Sequence, residues 1–365
     1  MREKSRPSIS TTLIAIVVII IIVVAGIGGY WYYTTLTHKH KGFVIALSNG
    51  FYGNIWRPEM EQDFMQLMSQ LEQQGIVSKY YISNAGPSVS AQISAIQNFI
   101  SMHVDAILIN PNSATGLNSV IQQAANAGIL VVCFDQGVTS PYAINVIYNQ
   151  TQWFATEAKW LVTQLNGSGN IIIVNGVPGN PANDQRYQGA LAVINQYPNI
   201  HVVATVYGGW DPASAETAVE PIIASHPNID GILTQDSMIE GILAAYDALG
   251  ISYPKVFTAD YAVGFLQEWN DTLLPKGYHV MVVENPPGYS LSAAVWVTIY
   301  LLEGKKLNTA DLGYYMGVKN TLYLPLPPVI TNSNVSQIYA QYQNYPSSWL
   351  VDYEVNQSQV AGFFS

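Results

Sequence analysis

From residue 42 onward, short runs of β-branched and apolar residues alternate with longer stretches whose apolar positions recur every three or four residues. Ten runs read as strands: GFVIALSN from Gly42, KYYISNA from Lys79, DAILINP from Asp105, ILVVCFD from Ile129, AINVIYN from Ala143, NIIIVNG from Asn170, HVVATVYG from His201, GILTQD from Gly231, KVFTAD from Lys255 and HVMVVENP from His279. They are apolar almost throughout rather than alternating, which predicts strands covered on both faces in a parallel sheet. Helices are predicted near 57–74, 114–127, 152–165, 184–196, 238–249 and 289–303. Two more have clear starts, one after Ser88 and one capped by Asp211 with Pro212 at its first position, the latter expected to bend at Pro221. Strict β/α alternation predicts a doubly wound α/β architecture, and 365 residues exceed what one core normally organises, so two lobes are expected.

The first 41 residues differ from this pattern. Residues 11–33 carry no charge and are long enough as a helix to cross about 30 Å of hydrocarbon, with Arg2, Lys4 and Arg6 before them and Tyr30 to Tyr33, including Trp31, as an aromatic belt after. The reading is a short cytoplasmic tail or signal n-region (1–10), a transmembrane anchor (11–33), a tether (34–41), and a body outside the cell. Cleavage as a signal peptide or a pilin-like cut near residues 8–11 are the alternatives. Five N-x-[ST] sequons, at Asn149, Asn166, Asn270, Asn334 and Asn356, are glycosylation candidates that accord with an exported body.

Charge narrows the partners. Only 10% of residues are charged, and beyond the first 41 there are 9 positive against 23 negative residues, a net of −14. Nucleic acid is thereby excluded as a partner. The single cysteine, Cys133, lies in an apolar run and is read as an inert buried thiol. No cofactor motif is present: there is no P-loop, G-x-G-x-x-G, G-x-S-x-G or H-E-x-x-H.

In a doubly wound sheet the ligand crevice lies off the carboxyl ends of the strands. Those ends carry Ser48, Asn110, Asp135, Trp210, Asp236, Asp260 and Glu284, so that four carboxylates each stand at the tip of an apolar strand. Arg186, one of four arginines, lies where the loop segment NPANDQRYQG runs into a helix and supplies a fixed fork of donors. Phe51, Asn54, Trp56 and Trp210 stand in strand-to-helix loops. Carboxylates and amides for hydroxyls, with indole for a sugar's C–H face, suit a small polyol. Trp153, Trp160 and Trp296 lie at helical spacings and read as packing.

Over residues 42–329 the chain resembles type I periplasmic sugar-binding proteins of the ribose-binding kind, the receptors of ABC importers. The resemblance rests on DAILINPNSATGLNSVIQQAANAGILVVCFDQ, GVPGNPANDQRYQGALAVI, YGGWDPASAETAVEPIIASHPNIDGILTQDSMIEGILAAYDALG and FTADY, in that order and spacing. It implies ligand roles for Asp135, Arg186, Asp236, Asp260 and Glu284, with Asn110 in the family's INP segment. Gln136 stands where an arginine often follows the aspartate, and SNGFYGNIWRPEM departs from the usual first loop. It further implies three crossings between lobes, giving an N-terminal lobe of 42–145 and 285–321 and a C-terminal lobe of 146–284 and 322–365. The implied function is capture of a monosaccharide, a pentose such as arabinose or xylose or an aldohexose, by a monomeric receptor that hands it to ABC permease subunits. The leader, the tyrosines and the low charge resemble archaeal surface proteins.

Rival readings are a nucleoside, furanone or other small polar ligand on the same fold, and a sensor acting through a separate membrane partner. Catalysis by a carboxylate pair is a third, but nothing in the sequence selects two of the four carboxylates, so the protein is read as a binder rather than an enzyme.

Overall fold

The computed structural model describes residues 42–50 and 54–365. The expected anchor, the tether and Phe51 lie outside them; among the described residues no helix is long and apolar enough to cross a membrane.

Two sheets organise the chain. The first has seven strands in the order β11-β12-β5-β4-β3-β1-β2: β1 Phe43–Asn49, β2 Val77–Asn84, β3 Ala106–Asn110, β4 Leu130–Phe134, β5 Ile144–Ile147, β11 Gly313–Tyr315 and β12 Val318–Tyr323. The second has six in the order β13-β10-β9-β8-β6-β7: β6 Ser168–Asn175, β7 Asn199–Tyr207, β8 Gly231–Thr234, β9 Val256–Thr258, β10 His279–Val283 and β13 Val329–Thr331. All pairings are parallel except β11 with β12 and β13 with β10, which are antiparallel.

The apolar runs sort by alternation. In the first sheet Ile45, Leu47, Leu108, Val132 and Phe134 face helices α1 (Trp56–Gln73) and α9 (Pro287–Leu302), where Met60, Phe64 and Leu67 meet them. Ala46, Ile107, Ile109, Val131 and Cys133 point the other way, onto α2 (Val89–Ser101) and α3 (Asn118–Asn126). Each fully buried aliphatic or aromatic side chain contributes about 1.5–3 kcal/mol. This two-faced covering is why the strands read as continuous apolar runs.

Around the second sheet lie α4 (Gln150–Gln164), α5 (Pro181–Ile194), α6 (Pro212–Ser225), α7 (Ile239–Leu249) and α8 (Val263–Glu268), the last continued by a π-helical turn, Trp269–Leu273. Two of these helices approach a neighbour so closely that only glycine fits: a Cβ on Gly189 of α5 would stand 1.9 Å from the Thr151 carbonyl oxygen, and one on Gly241 of α7 would stand 1.8 Å from that of Pro212. Helix α6 runs unbroken through Pro221, which lies on its exposed side.

The chain leaves the first sheet after β5, returns after β10 and leaves again after β12. A further crossing was not expected. After β13, helix α10 (Val335–Tyr342) packs on α8, and the following loop runs along it, with Val263 N donating to Trp349 O and Val351 N to Tyr261 O. The last residues then return to the first lobe: α11 (Gln357–Ala361) packs on α9, and Ser365 N donates to Lys306 O. The C-terminal lobe therefore does not include the whole of 322–365; the chain end straps the two lobes together.

Where the strap crosses, carboxyls gather, and among the described residues none of them has an ion pair. Glu59 and Asp63, one turn apart on α1, meet the strap: Glu59 Oε2 accepts from Leu350 N at 3.1 Å, and the Asp63 and Asp352 side chains hydrogen-bond each other. Asp352 Oδ1 also accepts from Gly288 N at 3.0 Å. Two carboxyls joined in this way must share a proton. Burial, reinforced by the Asp352 charge, pushes Asp63 to about 9 and Glu284 to about 8. Burial also lifts Glu59 to about 8 and Asp352 to about 6.

The sign follows. Folded-state values above the unfolded ones mean that the folded chain binds more protons, so this stabilisation is complete below about pH 4 and is lost as pH rises through roughly 6 to 9. The melting temperature is expected to fall between pH 5 and pH 9. Asp63→Asn should flatten that slope and raise the melting temperature at pH 8 by at least about 2 °C, the shift that roughly 1 kcal/mol produces in domains of 150–250 residues. A melting temperature that rises with pH, or a slope untouched by Asp63→Asn, contradicts the shared proton.

Candidate functional site

The strand tips of both sheets face one another across a cleft at the crossovers. Its inner part encloses about 20 Å³, room for about one water. Trp56 and Arg57 reach it from the start of α1, Asp135 from the end of β4, Arg186 from α5, Trp210 from the loop before α6, Asp236 from the end of β8 and Asn285 from the second crossover.

Arg186 is 1% exposed. Helix α5 begins earlier than the sequence pattern indicated: Asn180 caps it by accepting from Ala182 N at 3.0 Å, and Pro181 takes the first position, which places Arg186 in the second turn, facing inward. Its donors are distributed among fixed partners: Nη1 to Asp236 Oδ1 at 2.8 Å, Nε to Gln150 Oε1 at 2.7 Å and Nη2 to Tyr148 Oη at 3.3 Å. Its flat face lies over Trp153, 4.0 Å from the ring centroid. Burial acts to lower its pKa, but the Asp236 carboxylate outweighs this and the net direction is upward.

The second oxygen of Asp236 accepts from Asn285 Nδ2 at 2.9 Å. Asn285 is a hub: Tyr148 Oη donates to its side-chain oxygen, while Trp56 Nε1 and Tyr261 Oη donate to its carbonyl at 2.7 and 2.6 Å. Site and crossovers thus form one network.

Asp135 is held differently. Arg57 Nη2 stands 3.9 Å from its Oδ2, which accepts instead from Asn110 Nδ2 at 3.2 Å, and its Oδ1 is buried without a hydrogen-bond partner. At this distance the ion pair does not offset burial. Asp135 is pushed above its usual value and Arg57 is lowered to about 10, desolvation being the largest cause in both. The backbone is strained here too. Among the described residues, six non-glycine positions have positive φ, and Asp135 (62°), Trp210 (58°) and Ser237 (65°) line the inner cleft.

Of the residues expected from sequence, the structure brings Asn54, Trp56, Asp135, Arg186, Trp210 and Asp236 to the inner cleft. Four lie elsewhere. Asn110 stands behind Asp135 as its donor; Ser48 is buried near the Gln92 amide at 3.5 Å. Asp260 follows β9 on the outer side, where its Oδ1 accepts from Tyr261 N at 2.8 Å, its carboxyl is raised to about 7 by burial, and it lines a wider compartment adjoining the inner cleft. Glu284 turns toward the strap, and only its backbone oxygen joins the network, accepting from Trp153 Nε1 at 3.0 Å. A strand tip delivers a residue to the crevice level but not a side-chain direction, and Glu284, just past the end of β10, packs toward Asp352 of the strap instead.

Sequence reasoning missed Arg57, Tyr148 and Gln150, and placed Asn285 at a strand end and at the second crossing without giving it a ligand role. Arg57 is as scarce as Arg186 but stands at the start of a predicted helix, and it lies beside Gln136, the position where the resemblance expected a guanidinium. Of the sequons, Asn149, Asn166 and Asn356 are exposed, whereas Asn270 and Asn334 are half-buried with their amide nitrogens donating to Asp271 and Val329. Cys133 is free and buried. Among the described residues no group of His, Cys, Asp or Glu is placed to hold a metal ion.

Similarity to known proteins agrees with this geometry. Residues 45–306 match the family described as periplasmic binding protein domain. A crystal structure of an ABC transporter solute binding protein from Thermobispora bispora superposes with a TM-score of 0.77 at 28% identity, covering 88% of this chain and 94% of that one. A xylitol-binding protein of Mycolicibacterium smegmatis is 31% identical over 171 residues, 46% of this chain and 49% of that protein. The D-xylose-binding periplasmic protein of Escherichia coli is 24% identical over 266 residues, covering 70% and 78%. The match spans only 49 to 61% of the first three curated relatives. With two parallel-sheet lobes, a cleft at their crossovers and a family match over most of its length, the chain belongs to the periplasmic binding protein domain family.

Proposed function

We propose that this protein is the receptor of an ABC sugar importer, held at the outer membrane face by residues 11–33, that captures a monosaccharide between its lobes and delivers it to permease subunits. The observation that carries the reading is the inner cleft itself: two guanidiniums and two carboxylates from both lobes, between the indoles of Trp56 and Trp210. Such a set pairs hydroxyl donors and acceptors bidentately and offers apolar faces to ring C–H groups. Relatives named for xylitol and D-xylose favour a pentose or pentitol, with arabinose and xylose ahead of an aldohexose.

A cleft of about 20 Å³ admits a sugar only when the lobes part, so binding couples to rotation at the crossovers. The ligand then favours closure through contacts made to both lobes at once. Asp135, which lines the cleft and has one buried oxygen without a hydrogen-bond partner, is the group most ready to accept from a hydroxyl. Arg186 holds Asp236 in place for the same task.

Calorimetric titration of the full chain, in a detergent without a sugar head group, against pentoses, pentitols, hexoses and nucleosides tests the reading. A pentose or pentitol is expected to bind most tightly, and a panel with no sugar binder, or with a nucleoside foremost, overturns it. Two variants separate binding from folding. Asp135→Asn should weaken binding at least about thirtyfold, roughly 2 kcal/mol, while melting at or above the wild-type temperature, because it relieves a buried charge that is poorly paired. Arg186→Ala should lose binding and also lower the melting temperature, since it strands Asp236; equal melting temperatures for the two variants would contradict the contrast between their ion pairs.

A further inference from the structure

Outside the inner cleft, and continuous with it through Asn54, Trp210 and Ser237, lies a second compartment of about 470 Å³. That volume is within the roughly 300–1,000 Å³ of small-molecule sites, while the inner part holds little more than a water. Both lobes build it. Ile55 and Pro58 at the start of α1 form one wall, and Asp211, Pro212, Glu240, Asp260 and Ala262 form the facing one.

Its remaining side comes from the strap, through Ser347 and Ser348. Gly264 N donates to Ser347 O at 2.8 Å, fixing this loop along α8. These serines lie beyond residue 306, where the family match ends.

The chemistry of the walls is mixed. Ile55, Pro58 and the Trp210 indole present apolar surface, and between them stand the acceptors Glu240 and Asp260 with the Ser347 and Ser348 hydroxyls. Apolar faces interleaved with hydroxyl-pairing groups repeat the composition of the inner cleft, without its guanidiniums. Among the described residues no Lys or Arg lines the compartment, and three carboxyls do, which disfavours a phosphate or carboxylate substituent. Burial of Asp260 and of Glu240 raises both carboxyls, so each readily takes a proton and can then donate as well as accept.

We propose that the cleft takes a glycoside, one sugar ring in the inner part and a second, uncharged ring in the outer compartment against Trp210, Ile55 and Pro58, with its hydroxyls on Asp260, Glu240 and Ser348. The inference rests on the sugar-receptor reading and narrows its ligand from a free monosaccharide to a disaccharide.

The test is calorimetric titration of the full chain, in the same detergent, with xylose, arabinose and glucose and with xylobiose, arabinobiose and cellobiose. At least one disaccharide is expected to bind about tenfold or more tightly than its own monosaccharide. Ser348→Trp, at an exposed position that fills the outer compartment, should abolish that gain and leave the monosaccharide affinity unchanged. Asp260→Ala should reduce the gain without affecting the monosaccharide. Monosaccharide binding with no gain for any disaccharide, or Ser348→Trp weakening both ligands equally, overturns this inference alone. Failure of every sugar to bind overturns the reading beneath it as well.

Discussion

A guanidinium that is 1% exposed cannot be left uncompensated, and in this fold that requirement for Arg186 organises everything near it. Leaving such a charge without its partner costs about 3–5 kcal/mol. The chain meets the need with Asp236 at the tip of β8, with Tyr148 and Gln150 just past the first crossover, and with the Trp153 ring beneath. Asp236 in turn fixes Asn285 at the second crossover, which gathers Trp56 from the other lobe. Charge compensation for one side chain therefore passes through two of the segments about which the lobes must rotate. A ligand that competes for these hydrogen bonds acts directly on the hinge, with no intermediary element needed.

The two ion pairs divide the work. At 2.8 Å, Arg186 and Asp236 satisfy each other; at 3.9 Å, Arg57 and Asp135 do not, and burial shifts both toward their neutral forms. The first pair is scaffold. The second retains unmet hydrogen-bonding capacity, in a residue whose backbone is strained at φ 62°, and incomplete satisfaction of this kind is tolerated where an incoming group can complete it.

The architecture was legible because its signals are local and redundant. The covered strands announced themselves by unbroken apolar runs, and the helix starts at Ser88 and Asp211 cap as their sequence indicates, accepting from Ala91 N and Ser214 N. Asp135 and Asp236 could be placed because a strand tip determines where a residue lies. Asp260 and Glu284 stand at the same level, yet their side chains are turned by the neighbours they pack against, which no local pattern encodes. Arg57 was hidden by its position inside a helical pattern, where an arginine reads as a solvated face. The strap was illegible for a different reason: its path is set by scattered contacts, Glu59 with Leu350 and Asp63 with Asp352, separated by nearly three hundred residues.

That strap gives the molecule two populations of buried carboxyls with opposite demands. In the cleft, Asp135 and Asp236 face the guanidiniums of Arg57 and Arg186. At the crossing, Asp63, Glu59 and Glu284 have no cation and are comfortable only when protons are present. Lowering the pH thus stabilises the junction between the lobes, and raising it does the reverse. The junction and the cleft meet on one helix, α1, which carries Glu59 and Asp63 on the strap side and Trp56 and Arg57 at the cleft, so the carboxyls that favour protons at the crossing lie within about two turns of the groups that line the cleft.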